Sequence, residues 1–391
     1  KKTGGVHMFK RILFLITAVV LSLFTTIALA GVIELPQTGQ TKCYDTSGTE
    51  IACAGTGQDG EIRAGALWPN PRFTLGTGVE ADCITDNLTG LMWARNGNLP
   101  NGTRTWQGAL DFVASLNSGG GLCGYTDWRL PNVNEIESLV NADVPDLGTW
   151  LNGQGFTNVR LNYWSSTTDV NPAYNDKWGV IWNGSVANGG GYVLPVRSGQ
   201  SGTVQLPQTG QKTSYSTGDD GDIEMGVSWP NPRFTDNANG VVTDNLTGLM
   251  WLKDANCINT NYPASPYGYN NGQVTWQNAL NFIKGINNET YSQCGAGYTD
   301  WRLPNRKELR SLIDYSRYNP ALQTGHPFTN VQNALYWWSS TTTAQNKYSA
   351  WIVSVWDGGV VGNHKGDDYL VWPVRSGQVG GPFEDYYCDG D

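Results

Sequence analysis

Two stretches of the chain carry apolar residues at helical spacing, and each occurs twice. In one, Trp106, Ala109, Leu110, Val113 and Leu116 share a face, and Thr105 stands where an N-cap belongs. The same pattern returns as Thr275 followed by Trp276, Ala279, Leu280, Ile283 and Ile286. A second helix is announced by Asn132 with Glu135 three residues on, and again by Asn305 with Glu308, the signature of a capping box. Its apolar stripe is Ile136, Leu139 and Val140 in one copy and Leu309, Leu312 and Ile313 in the other. Short aromatic runs broken by Gly, Asn and Asp read as strands and turns, at 90–93, 163–166, 178–182 and 350–356. The pattern predicts an α+β fold of two helices and short antiparallel strands, made twice.

Ordered sequence blocks confirm the duplication. Leu35-Pro36-Gln37-Thr38-Gly39-Gln40 returns at 206–211, and Thr85-Asp86-Asn87-Leu88-Thr89-Gly90-Leu91-Met92-Trp93 returns at 243–251. The run 124–132 returns at 297–305, Trp164-Ser165-Ser166-Thr167-Thr168 at 338–342, and 195–200 at 373–378. A repeat this long is a whole domain. It divides the chain into a leader at 1–30, a first domain at 31–200, a second at 201–379 and an acidic tail at 380–391. The Leu-Pro-x-Thr-Gly strings open each domain and read as turns.

The leader reads as an export signal starting at Met8: basic Lys10 and Arg11, an apolar run at 12–24, then Ala28-Leu29-Ala30 as a cleavage site. No later segment is long and apolar enough to cross a membrane. Removing the leader takes away four basic residues and no acidic ones. That leaves 21 Lys and Arg against 34 Asp and Glu, a net charge of −13. Such a chain repels nucleic acid.

Seven cysteines in an exported chain imply disulfides. Gln40 to Trp68 spans 28 positions and Gln211 to Trp229 only 18, so Cys43 and Cys53 lie in an insertion and are expected to close it. Cys123 and Cys294 occupy equivalent places, which leaves Cys83 and Cys257 as their partners. Those two flank opposite ends of the Thr-Asp-Asn-Leu-Thr-Gly-Leu-Met-Trp block, so the block has to fold back. Cys388 is left over, free or joined to another chain.

Candidate chemistry is sparse. Asp219, Asp220, Asp222 and Glu224 crowd one loop with oxygen ligands suited to calcium, in competition with a solvated acidic turn; no other cofactor is expected. Glu135 and Glu308 are accounted for by capping rather than catalysis. Arg129 and Arg302, among apolar and aromatic neighbours, are expected to stack or to pair internally with Asp127 or Asp300 rather than contact a ligand. The Ser-Ser-Thr-Thr hydroxyls suit backbone hydrogen bonds at a strand end. No His, Ser or Cys arrangement reads as an active site, so the chain is not expected to be an enzyme. Trp106, Trp128 and Trp276 fall on buried faces, whereas Trp182, Trp356, Tyr262, Tyr267 and Tyr269 lie near loops or strand ends and are candidate sugar-stacking residues. The one dense basic group is Arg302, Arg306, Lys307 and Arg310.

The ordered motifs, from Thr-Asp-Asn-Leu-Thr-Gly-Leu-Met-Trp through Tyr-Thr-Asp-Trp-Arg-Leu-Pro-Asn to Pro-Val-Arg-Ser-Gly-Gln, resemble the Lcl C-terminal domain family over nearly all of both repeats. That family takes its name from a bacterial collagen-like adhesin whose domain is linked to adhesion through sulfated glycosaminoglycans. The Trp-Arg-Leu-Pro-x-x-x-Glu string and its helix also resemble the C-type-lectin-like fold, shared with the formylglycine-generating sulfatase modifiers. The resemblance implies tandem C-type-lectin-like domains in an exported adhesion protein of the periplasm, cell surface or medium. Its partners would be carbohydrate or a surface protein. The alternative functions are a structural or assembly module and, less favoured, an enzyme of the sulfatase-modifier type. N-terminal sequencing of the exported protein is expected to read Gly31 first; an intact apolar run would show that the leader is retained.

Overall fold

The structure is a computed structural model describing residues 31–171, 177–181, 185–188, 191–264, 271–332 and 336–377. The leader, the acidic tail with Cys388, and Trp182, Tyr267 and Tyr269 lie outside the described residues. Among the described residues no helix is long and apolar enough to cross a membrane.

Each repeat carries a small antiparallel sheet. In the first, β3 (Phe73–Leu75), β4 (Cys83–Asp86), β5 (Leu91–Ala94) and β9 (Val196–Ser198) lie in that order. In the second they are β10 (Phe234–Asp236), β11 (Val241–Asp244), β12 (Met250–Leu252) and β16 (Val374–Arg375). The Asp-Asn-x-Thr-Gly turn makes β4 and β5 a hairpin, with Cys83 opposite Ala94. Both ends of the repeated block therefore lie side by side. That is how Cys83 can reach Cys123 while Cys257, beyond the far end, reaches Cys294. Cys43 joins Cys53 across a short hairpin of β1 (Cys43–Tyr44) and β2 (Glu50–Ile51). All three pairings agree with the sequence expectation.

The helices form where their caps dictate. Helix α2 (Trp106–Ser118) is capped by Thr105, which accepts from the Gly108 amide, and α7 (Trp276–Asn287) by Thr275. Helices α3 (Val133–Ser138) and α8 (Arg306–Ser311) both have complete capping boxes. They stop a turn early, so Leu139, Val140, Leu312 and Ile313 are buried from the turn beyond rather than from the helix itself. Further short helices go beyond the two per repeat read from the sequence: α1 (Asp59–Ile62), α4 (Leu147–Gly153), α5 (Asp220–Ile223) and α6 (Cys257–Asn261).

The two repeats share one sheet. Strands β6 (Asn162–Thr168), β7 (Lys177–Ile181) and β8 (Val186–Asn188) meet β13 (Tyr336–Thr342), β14 (Ser349–Ser354) and β15 (Val360–His364) in the order β13-β14-β15-β8-β7-β6. The join is the antiparallel pair Val360–Val186, so the order is mirrored about the centre. One hydrophobic core runs through both repeats, with Trp178 of the first edge-on to Tyr315 of the second at 5.5 Å.

In space the opening segment of each repeat crosses to the other. From the first repeat, the Gln40 side chain forms two hydrogen bonds with the backbone of Thr342, and the Asn305 side chain donates to the Ala64 carbonyl. From the second, Gln211 forms the equivalent pair with Thr168, and Asn132 donates to the Met225 carbonyl. The deepest contact is a buried carboxylate. Asp59 accepts from the hydroxyls of Thr38 and Thr341 at 2.7 Å each. Asp220 accepts from Thr209 and Thr167, also at 2.7 Å. Thr341 and Thr167 in turn accept the backbone amides of Arg306 and Val133, at the starts of α8 and α3. The Ser-Ser-Thr-Thr blocks thus do bond backbone groups, and they also receive the arm of the other repeat.

Burial raises the Asp59 carboxyl to about 6 and the Asp220 carboxyl to about 7, against the opposing pull of the threonine hydroxyls. An acid with a raised folded pKa stabilises the fold while protonated. That contribution is full below the unfolded value of 3.8 and is lost as pH rises through about 6 to 7. Asp59→Asn and Asp220→Asn should therefore gain on the parent in urea denaturation as pH is raised from about 5 to about 8, by about 1–3 kcal/mol per site. Parallel pH profiles for parent and variants would refute this origin.

Candidate functional site

The carboxylates and arginines flanking the second helices are engaged structurally. Glu135 accepts the Asn132 amide and pairs through both oxygens with Arg129; Glu308 does the same with Asn305 and Arg302. This corrects the expected pairing of Arg129 and Arg302 with Asp127 and Asp300. Those aspartates are instead held by Arg197 and Arg375, which project from β9 and β16 and stack on Tyr125 and Tyr298. The capping glutamate, already aimed back at the helix start, is the better placed of the two acids.

The four acidic residues considered for calcium face different partners. Asp219 caps α5, Asp220 is buried on its two threonines, Asp222 accepts the Gly218 amide, and Glu224 pairs with Lys212. Among the described residues no group of three or more His, Cys, Asp or Glu side chains stands close enough to hold a metal ion.

Of the aromatic candidates, two are described. Tyr262 follows α6, its ring 4.9 Å from that of Tyr291, and its hydroxyl accepts the Gln293 amide at 3.1 Å. It braces the loops around the Cys257–Cys294 bridge. Trp356 follows β14 and is half-buried, and its carbonyl accepts the Asn319 amide at 2.7 Å. That bond ties Trp356 to the loop after α8, where a cleft of about 370 Å3 opens.

The cleft is built from residues 316–326, including Arg317, Tyr318, Asn319, Gln323 and His326. The loop turns through Asn319 at φ 52° and a cis peptide to Pro320. Tyr318 is 41% exposed, whereas Tyr315, three residues earlier, is buried. Burial, and then the Arg317 charge, hold the His326 imidazole below its usual pKa, so it is neutral at physiological pH. Its Nδ1 reaches no hydrogen-bond partner beyond its own residue. The corresponding segment of the first repeat makes a different cleft, of about 300 Å3, lined by Asp146, Thr149, Asn152, Arg160, Leu161 and Tyr192. Arg160 lies 6.0 Å from the Tyr192 ring centre, and Leu161 is 69% exposed. Sequence reasoning singled out Trp356, which adjoins the cleft, and not Tyr318 or His326, which line it. The available signal was a tyrosine before Asn-Pro in a loop, and it does not separate buried Tyr315 from exposed Tyr318.

The sequence of the Lcl C-terminal domain matches the chain at residues 82–202 and again at 240–375. The chain belongs to the Lcl C-terminal domain family. No curated protein and no solved structure is matched. The two Lcl C-terminal matches hold both hairpins, both disulfide-linked loops and the six-stranded sheet. They leave out the crossing arms, which lie before residue 82 and within 203–239.

The dense basic group of the second Lcl C-terminal domain is interior. Arg306, Lys307 and Arg310 are 0%, 5% and 7% exposed, in the seam between α8 and α3. Glu137 of the first domain is held by Arg306 and Arg310 at 3.4 Å each. Burial would raise the Glu137 carboxyl, but Lys307, Arg310 and Arg306 together hold it below the usual carboxylate range. These cations are therefore not presented to a polyanion. Retention on a heparin column at physiological salt should be slight; strong, salt-sensitive retention would show that another basic surface exists.

Proposed function

We propose that this protein is an exported binding or adhesion protein of the periplasm, cell surface or medium that recognises a neutral or weakly charged carbohydrate. The observation that carries the reading is the cleft beside Trp356. It combines an exposed tyrosine, a neutral histidine and the amides Asn319 and Gln323, with half-buried Trp356 tied to its wall through the Asn319 amide. Aromatic faces stack on the apolar face of a sugar ring, and amides and a neutral imidazole hydrogen-bond its hydroxyls. The C-type-lectin-like fold fits this reading: each repeat has its two main helices, a disulfide-tied loop and a closing strand beside its opening hairpin. The adhesin that gives the family its name lends the reading its biological setting.

The overall charge supports a neutral glycan over a sulfated one, because an acidic surface repels anionic ligands. The two clefts differ in lining, so they would take different sugars, or only one of them would bind. Calcium at 219–224 remains a separate proposal, testable by calorimetric titration.

A glycan array probed with the exported chain should return neutral glycans. Tyr318→Ala and Trp356→Ala should each weaken that binding at least tenfold, while His326→Ala should weaken it less. Binding untouched by all three would move the site elsewhere. No glycan binding at all would favour an assembly module.

A further inference from the structure

The seam between the repeats holds more positive than negative charge. At its centre, α3 and α8 face each other beside the two Leu-Pro turns, and a cavity of about 40 Å3 opens there. Its lining includes Asn134, Glu137, Lys307 and Arg310. That is room for a few water molecules or one halide-sized ion, and too little for a sugar.

Charge in this space is uneven. Glu137 is the carboxylate in the lining, and Arg306 and Arg310 already grip its two oxygens. Arg310 also donates to Asn134 and to the Tyr315 hydroxyl, and Arg306 stacks on Trp351 at 4.2 Å. Nearby Arg72 is matched by Asp86. Lys307 adds a third positive charge beside the same carboxylate: it is 5% exposed, lines the cavity, and its Nζ makes no hydrogen bond. A buried ammonium with no hydrogen-bond acceptor and only a share of one carboxylate is costly to keep charged. A further negative charge in the cavity would relieve that cost.

We propose that this cavity is a binding site for a small monovalent anion of the chloride class, held by Lys307 Nζ and by the field of Arg306 and Arg310. The excess of three cations over one carboxylate supplies the attraction. The neighbouring Asn134 amide and the turn backbones of both repeats complete the wall. With the site empty, burial drives the Lys307 ammonium down to about 8, and a bound anion would raise it again. Because both repeats line the site, the anion would stabilise their packing.

The test is thermal denaturation of the whole exported chain in sodium chloride against sodium gluconate at equal ionic strength, so that screening is constant. Binding to the folded state alone predicts a Tm that climbs with chloride, by about 2 °C per tenfold once the site is filling. Lys307→Met, of similar length and without charge, should abolish that climb whatever its starting Tm. Crystals soaked in bromide should show an anomalous peak beside Lys307 in the parent. A Tm indifferent to chloride, an equal chloride response in Lys307→Met, or a bromide map with no peak in the seam would each overturn the proposal, leaving the cavity to water.

Discussion

A carboxylate buried beneath two threonine hydroxyls is expensive to desolvate, and the whole arrangement turns on making that burial worthwhile twice. Asp59 and Asp220 each sit on a short arm, and each meets a threonine from its own repeat and one from the other. The second threonine also accepts the first amide of a capped helix. Arm, strand end and helix start are thus fixed to one another through a single hydroxyl. The glutamine pairs beside them and the central sheet follow from the placement these contacts impose. Losing one partner would strand a buried acceptor, which costs far more than the bond contributes.

The duplicated halves are not interchangeable at the seam. Near a two-fold axis, identical copies set like side chains close together, and like charges repel. Here Glu137 of one copy meets Arg310, its own equivalent position in the other, and Asn134 likewise corresponds to Lys307. The cores stay alike while the seam has diverged into complementary partners.

The helices, capping boxes and disulfides were legible because each depends on residues close in sequence or on comparing the copies. Thr105 and Asn132 announce helix starts wherever they occur. The Cys43–Cys53 pair followed from an insertion, and the fold-back needed for Cys83 followed from its turn residues. Three things were not legible. Comparing the copies shows that a Leu-Pro turn opens each repeat, but equivalent grooves in the two repeats read identically, so it does not say which one the segment after the turn enters. The acid opposite Arg129 depended on Arg197 claiming Asp127 from a strand distant in sequence. The burial of the basic run 306–310 has no local signal, because it is the facing helix of the other repeat that covers it.

The crossing arms also bear on ancestry. Each arm completes its hydrogen bonds on the strand end and helix start of the other repeat and leaves the equivalent place on its own to its counterpart. A single-repeat chain whose arm reached outward in the same way would exchange it with a second molecule, forming a reciprocal dimer. Fusing the two genes would then have turned a concentration-dependent encounter into an intramolecular one, and freed each half to mutate against a partner that was always present.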